Sequence, residues 1–148
     1  MTYTLIDSVT LASSASSVTF SSIDQSYGDL VLVIDTANDV RFPQVQFNGS
    51  TTGYSRVSMY DYGGAVVSDT STGTYIDFYG DTYMATLSIH DYSATDKHKT
   101  CLLRNGKPTI FVHASAQRWA NTAAITQLFI GGGTYVAGST FHLYGIAK

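Results

Sequence analysis

Short runs in which apolar and polar residues alternate, separated by glycine, asparagine and serine, make up most of this 148-residue chain. A period of two marks a half-buried β-strand, and turn-forming residues between such runs mark an all-β domain. Thr2 to Leu11, Val18 to Ser21 and Tyr54 to Tyr62 read as strands. Thr74 to Tyr79 and Tyr83 to Tyr92 do so too, the latter with Leu87 and Ile89 on one face. Asp29 to Thr36 (DLVLVIDT) is a nearly unbroken apolar run, expected of a strand covered on both faces. Arg41 to Asn48 sets Val45 and Phe47 against Gln44 and Gln46, and Pro43, which cannot donate to a ladder, predicts a sheet edge or a bulge there. Ala37-Asn38-Asp39 and Gly63-Gly64 read as turns, and Val66 to Thr72 as loop.

The second half follows the same grammar. Lys99 to Arg104 and Thr109 to Trp119 flank Asn105-Gly106-Lys107-Pro108, where Asn-Gly predicts a type I′ hairpin turn. The alanines of Ala114 to Ala124 invite a helix, but Trp119 and the Asn121-Thr122 break favour strand. Ile125 to Ile146 reads as one hairpin-like closing unit, with Gly131-Gly132-Gly133 as its turn. In its last strand, Ser139 to Ile146, Phe141 and Leu143 face the core while Thr140, His142 and Tyr144 face out. About ten short strands without a helix predict a single domain spanning residues 1–148, an antiparallel jelly-roll-like β-sandwich.

Composition narrows the function classes. Charged residues are 13% of the chain, about half the usual ~25%. The net charge is −3 and Lys97-His98-Lys99 is the nearest thing to a basic run, so a nucleic-acid footprint is lacking. No apolar run approaches the ~20 residues of a membrane helix, and the N-terminus carries no signal-peptide pattern. Expected is a protein made in a cytoplasm whose uncharged polar surfaces are covered by other subunits. Asn48-Gly49-Ser50 matches a glycosylation acceptor but then reads as an ordinary loop.

Candidate chemistry is sparse. His90, His98, His113 and His142 lie in different segments without metal-ligand spacing. Cys101 is alone and reads as a small buried hydrophobe. All 11 acidic residues are Asp, which suits turns, and the pairs Asp24/Asp29, Asp35/Asp39 and Asp61/Asp69 lack the dense ligand loop of a calcium module. Gly131 to Gly133 lacks the Lys-Ser/Thr and the helix of a phosphate loop. No catalytic, cofactor-binding or metal-binding residue is assigned, and no enzyme is expected. The candidate interaction surface is the tyrosine set Tyr54, Tyr60 and Tyr62, near Tyr75, Phe78, Tyr79 and Tyr83, because tyrosines give large rigid contact area.

Phe20-Ser21-Ser22-Ile23 with Tyr27-Gly28-Asp29-Leu30, then Gln46-Phe47-Asn48-Gly49 with Gly53-Tyr54-Ser55, and above all Ala137-Gly138-Ser139-Thr140-Phe141-His142-Leu143-Tyr144-Gly145-Ile146, resemble small structural proteins of tailed bacteriophages. The resemblance implies a virion component with a jelly-roll sandwich. It implies a head decoration (cement) protein bound to the major capsid protein, as a homotrimer, or a domain of a tail fibre or baseplate that binds a receptor or a sugar. It brings no catalytic residue and no cofactor.

Overall fold

The computed structural model describes residues 2–107 and 111–148, and at positions 39, 41, 62 and 81 the backbone alone. The predicted runs form twelve antiparallel strands among these residues: β1 (Tyr3–Thr10), β2 (Val18–Phe20), β3 (Asp29–Arg41), β4 (Gln44–Phe47), β5 (Tyr54–Tyr62), β6 (Val66–Gly73), β7 (Ile76–Asp77), β8 (Asp81–His90), β9 (Lys99–Lys107), β10 (Phe111–Trp119), β11 (Leu128–Gly131) and β12 (Thr140–Ile146). An eight-stranded sheet runs β1-β12-β3-β8-β9-β10-β5-β6 and a four-stranded sheet β2-β11-β4-β7.

Set β5, β6, β9 and β10 aside and the other strands divide four and four. Their pairs β1·β12, β2·β11, β3·β8 and β4·β7 are those of one long antiparallel hairpin. Winding that hairpin over itself also brings β12 beside β3 and β11 beside β4, which is the jelly-roll sandwich. Two insertions, β5–β6 and β9–β10, extend the larger sheet beyond β8.

The core lies between the sheets. Leu30, Leu32 and Ile34 of β3, Leu87 and Ile89 of β8, and Phe141 and Leu143 of β12 face Phe20, Val45, Phe47, Leu128 and Ile130, all buried. Each such side chain contributes about 1.5–3 kcal/mol by leaving water. Thr140, His142 and Tyr144 are half-buried on the opposite face, the register expected of the closing strand. Its Gly145 is there for a close approach: a Cβ would lie 2.3 Å from Cγ of Tyr27. Gly145→Ala will therefore push Tyr27 off the core edge and cost about 1–3 kcal/mol, measurable by urea unfolding.

Several local expectations give way to tertiary demands. The closing unit is no hairpin, since β11 pairs β2 and β4 in one sheet while β12 pairs β1 and β3 in the other. Gly131 belongs to β11, and Gly132 turns the chain at φ +89 where a Cβ would meet the Phe42 carbonyl at 2.4 Å. Asn105 and Gly106 are ladder residues opposite His113 and Val112 and not a turn, and the expected turn residue Pro108 lies outside the described residues.

Ala37 to Asp39 is a bulge within β3 rather than a turn. Thr36 Oγ1 donates to Thr82 O and Tyr83 O, and Asn38 Nδ2 donates to Thr134 O. Val66 to Thr72, read as loop, is edge strand β6, paired with β5 from Tyr54↔Gly73 to Asp61↔Val66. Of Thr74 to Tyr79 only Ile76 and Asp77 pair. Pro43 marks neither an edge nor a bulge. The chain passes from one sheet to the other there, through Phe42 at φ 53. β3 is covered more fully on one face, with Asp35 exposed on the other.

Candidate functional site

The inserted strands carry an unusual arrangement. Their inward positions include Arg56 and Ser58 of β5, Asn105 of β9, and His113, Ser115 and Gln117 of β10, all buried. A strand facing a core is normally apolar there, because an unpaired buried polar group costs about 1–3 kcal/mol. Here β7 and the residues after it supply partners to most of them, the buried Ser58 hydroxyl being left without one. Gln117 accepts the Asp77 N–H (2.9 Å) and donates to Asp77 O (2.8 Å) and Ser115 Oγ (2.9 Å). Arg56 pairs with Asp77 and with Asp69 (2.7 Å), and its guanidinium lies 5.0 Å from the Tyr79 ring centre. Burial raises the Asp77 carboxyl above its ordinary range, while Arg56 pulls it down and Asp69 pushes it up.

Asn105 Nδ2 donates to Tyr79 O (3.2 Å) and Thr82 Oγ1 (2.9 Å). Its Oδ1 then accepts from His113 Nδ1 (2.7 Å), which assigns the His113 tautomer and leaves Nε2 buried with no partner. Burial first, and Arg56 second, lower His113 to about 4. The imidazole is thus neutral in the folded protein where the unfolded one, near 6.5, begins to charge. Stability is complete above the unfolded value and is lost as pH falls from 6.5 toward 4. The loss expected from this group is about 3 kcal/mol, and His113→Gln will flatten that part of the stability–pH curve in urea titrations.

Of the tyrosine set, Tyr54 lies in the core and not at a surface. Tyr54 is 3% exposed, stacked on Trp119, and its hydroxyl accepts from Phe47 N (2.9 Å) and donates to Ser50 O (3.3 Å). Tyr60 is half-buried with its ring 4.6 Å from that of Tyr79, whose hydrogen bond raises the Tyr60 hydroxyl. The Tyr62 side chain lies outside the described residues. Tyr54 serves the core because its place on β5 points inward, as those of Arg56 and Ser58 do.

Other candidates are also absorbed by the fold. Cys101 is buried in apolar surroundings that push its thiol up. Lys99, wholly buried, donates to Ala94 O (2.6 Å), Lys97 O (3.0 Å) and Thr122 O (3.2 Å), pinning two loops together. Asn48 holds the chain before β11, donating to Ala124 O (2.8 Å) and accepting from Thr126 N (2.9 Å). Asp24, Asp29 and Asp61 accept from the backbone N–H groups of Ser26, Asp91 and Gly64. Among the described residues no three His, Cys or Asp side chains gather as a metal would require.

The outward positions of the same strands reverse the usual polarity. Val57 and Met59 of β5, Leu102 of β9, and Val112 of β10 are each more than half exposed, with Ala114 and Ala116 between them. The registers Val57↔Ala116↔Leu102 and Met59↔Ala114 make one contiguous apolar patch on a sheet held from behind. The sequence signal was present in β10, FVHASAQRW: its outward residues Val112, Ala114 and Ala116 are more apolar than the inward His113, Ser115 and Gln117.

No protein-family model and no curated protein matches the chain. Among solved structures it is weakly similar to the infectious bursal disease virus VP2 subviral particle, at 6% identity and a TM-score of 0.16 over 99% of this chain and 36% of that chain. The chain thus spans about a third of that chain's length, and at that TM-score the likeness bears on neither fold nor function.

Proposed function

We propose that this protein is a structural component of a bacteriophage virion, a capsid decoration protein that binds the assembled major capsid protein shell and stabilises it. The observation that carries the reading is the apolar patch on the outer face of the eight-stranded sheet, which marks the chain as a subunit of a larger assembly. Contiguous exposed apolar surface on a rigid scaffold fits a contact with another protein subunit. The phage-like closing strand points to the kind of particle. Edge strand β6 adds a row of backbone groups that can take up a strand of the shell protein. Binding the assembled shell and not its separated subunits stabilises the shell by mass action.

Purified virions probed with a labelled antibody test this directly. Decoration of the head surface is expected; label confined to the tail tip would refute it.

One feature favours a second reading, a receptor- or carbohydrate-binding domain of a tail fibre or baseplate. A cleft of about 250 Å³ between β5 and the β6–β7 connection is lined by Arg56, Ser71, Thr72, Thr74, Tyr75 and Asp77. Hydroxyls, a carboxylate and an aromatic ring together suit a sugar. A glycan array binding the native protein but not Tyr75→Ala would favour it over decoration.

A further inference from the structure

We infer that the apolar patch seats a second copy of this chain, sheet against sheet, about a two-fold axis that runs across the strands. The inference rests on the reading of this face as an assembly surface, and not on the identity of the particle.

The choice of occupant comes from the charges that border the patch. Outward residues of the strands form rows across the sheet through their registered pairs. One border row contains Ser55↔Arg118↔Thr100; the next holds Val57↔Ala116↔Leu102, and then Met59↔Ala114↔Arg104. The opposite border contains Asp61↔Val112↔Gly106. A cation, Arg118, therefore stands at one end of the apolar strip and an acid, Asp61, at the other, on neighbouring strands. Arg118 is exposed and Asp61 half-buried.

Two sheets packed face to face keep their strands within about 30° of each other, the angle at which two twisted surfaces nest. A two-fold axis lying between them then runs either along the strands or across them. An axis along the strands lays each row over the same row of the partner. Arg118 would share its border with the partner's Arg118, and Asp61 with the partner's Asp61, so neither border row pairs opposite charges. An axis across the strands exchanges the borders. Arg118 then lies over the row that holds Asp61 in the partner, the reciprocal pair forms at the other end, and the two central apolar rows close on each other. Complementary charge settles register and orientation in such contacts, and self-complementarity is what an isologous interface demands. Only the second arrangement satisfies both.

Arg104, within the strip, can lay its aliphatic stem on the partner's Leu102 row and carry its guanidinium to the rim. The contact leaves both sheet edges free, so the outward edge of β6 stays available to another partner.

The test is the molar mass of the purified full chain by light scattering and sedimentation, with circular dichroism to show that every variant is folded. The native protein should contain an even number of 16.0 kDa chains. Leu102→Asp, at a position 56% exposed and so harmless to folding, should dissociate it. Arg118→Asp and Asp61→Arg should each weaken the association about tenfold or more, and the double variant should restore it. A native monomer, or any odd-numbered assembly, would overturn the proposal. So would a double variant no better than the singles, which would remove the two-fold arrangement argued here. If the native protein is monomeric and Leu102→Asp instead abolishes binding to phage heads, the face belongs to the shell: the inference fails while the decoration reading stands. If Leu102→Asp changes neither association nor head binding, both fail.

Discussion

Leu143→Asp will yield no soluble, folded protein. Leu143 is fully buried in β12, opposite Leu32 of β3, in the middle of the inter-sheet core. The substitution forfeits roughly 2–3 kcal/mol of apolar burial. It also places a carboxylate where no cation or donor waits, which costs several kcal/mol whether the group stays ionised or takes a proton. Together these approach the whole stability of a domain, about 5–15 kcal/mol. His142→Asp, one residue away on the half-buried outer face, should remain soluble, with a change within about 1 kcal/mol. Expression tests and far-ultraviolet circular dichroism on the two variants decide the matter. A folded Leu143→Asp protein beside an insoluble His142→Asp one would mean that β12 has the opposite register, since a one-residue slip exchanges its faces.

Arg56→Ala should be the next most damaging change, lowering stability by about 3–5 kcal/mol, the cost of removing one partner from a buried ion pair. For a domain of this size that corresponds to a fall of roughly 10–15 °C in Tm. Arg56 is 8% exposed and holds two carboxylates, Asp69 and Asp77, that would otherwise repel each other in a partly dry site. Without it the Asp77 carboxyl rises further, because burial and Asp69 already push it up and only Arg56 opposes them. The folded variant then keeps a proton that the unfolded chain has released. Its stability falls as pH climbs from the unfolded carboxylate value, about 4, toward the raised folded one. The variant will therefore recover stability in mild acid, opposite in sign to the His113 effect, and adding Asp77→Asn should recover part of the loss at neutral pH. Calorimetry across pH checks both statements. A loss under about 1 kcal/mol with no pH signature would mark Arg56 as an ordinary surface pair.

The inserted half of the larger sheet also shows why the candidate site was hard to read along the chain. In β3, β8 and β12 the apolar phase of the alternation points at the core, and the pattern could be taken at face value. In β5 and β10 the polar phase points inward. Arg56, Ser115 and Gln117 find their partners in Asp77, Asp69 and one another, residues separated in sequence by up to 40 positions. Nothing local announces such partners, so the sequence places Tyr54 at a surface although it is buried, and does not single out Val57, Met59, Leu102 and Val112 as an outward apolar patch.

The chain by itself determined the class of fold, the position of most strands and the register of the closing one. These follow from period-two alternation and turn residues, which act over a few neighbouring positions. Tertiary structure alone decided which sheet each strand joins, so that β11 and β12, neighbours in sequence, lie on opposite sides of the core. It also kept Asn105-Gly106 in the ladder, because the Asn105 amide is wanted by Thr82, Tyr79 and His113. And it turned the apolar side of β5 and β10 to the outside. The physical reason is the same in each case: what a strand face requires depends on what lies across from it, and that partner comes from distant parts of the chain.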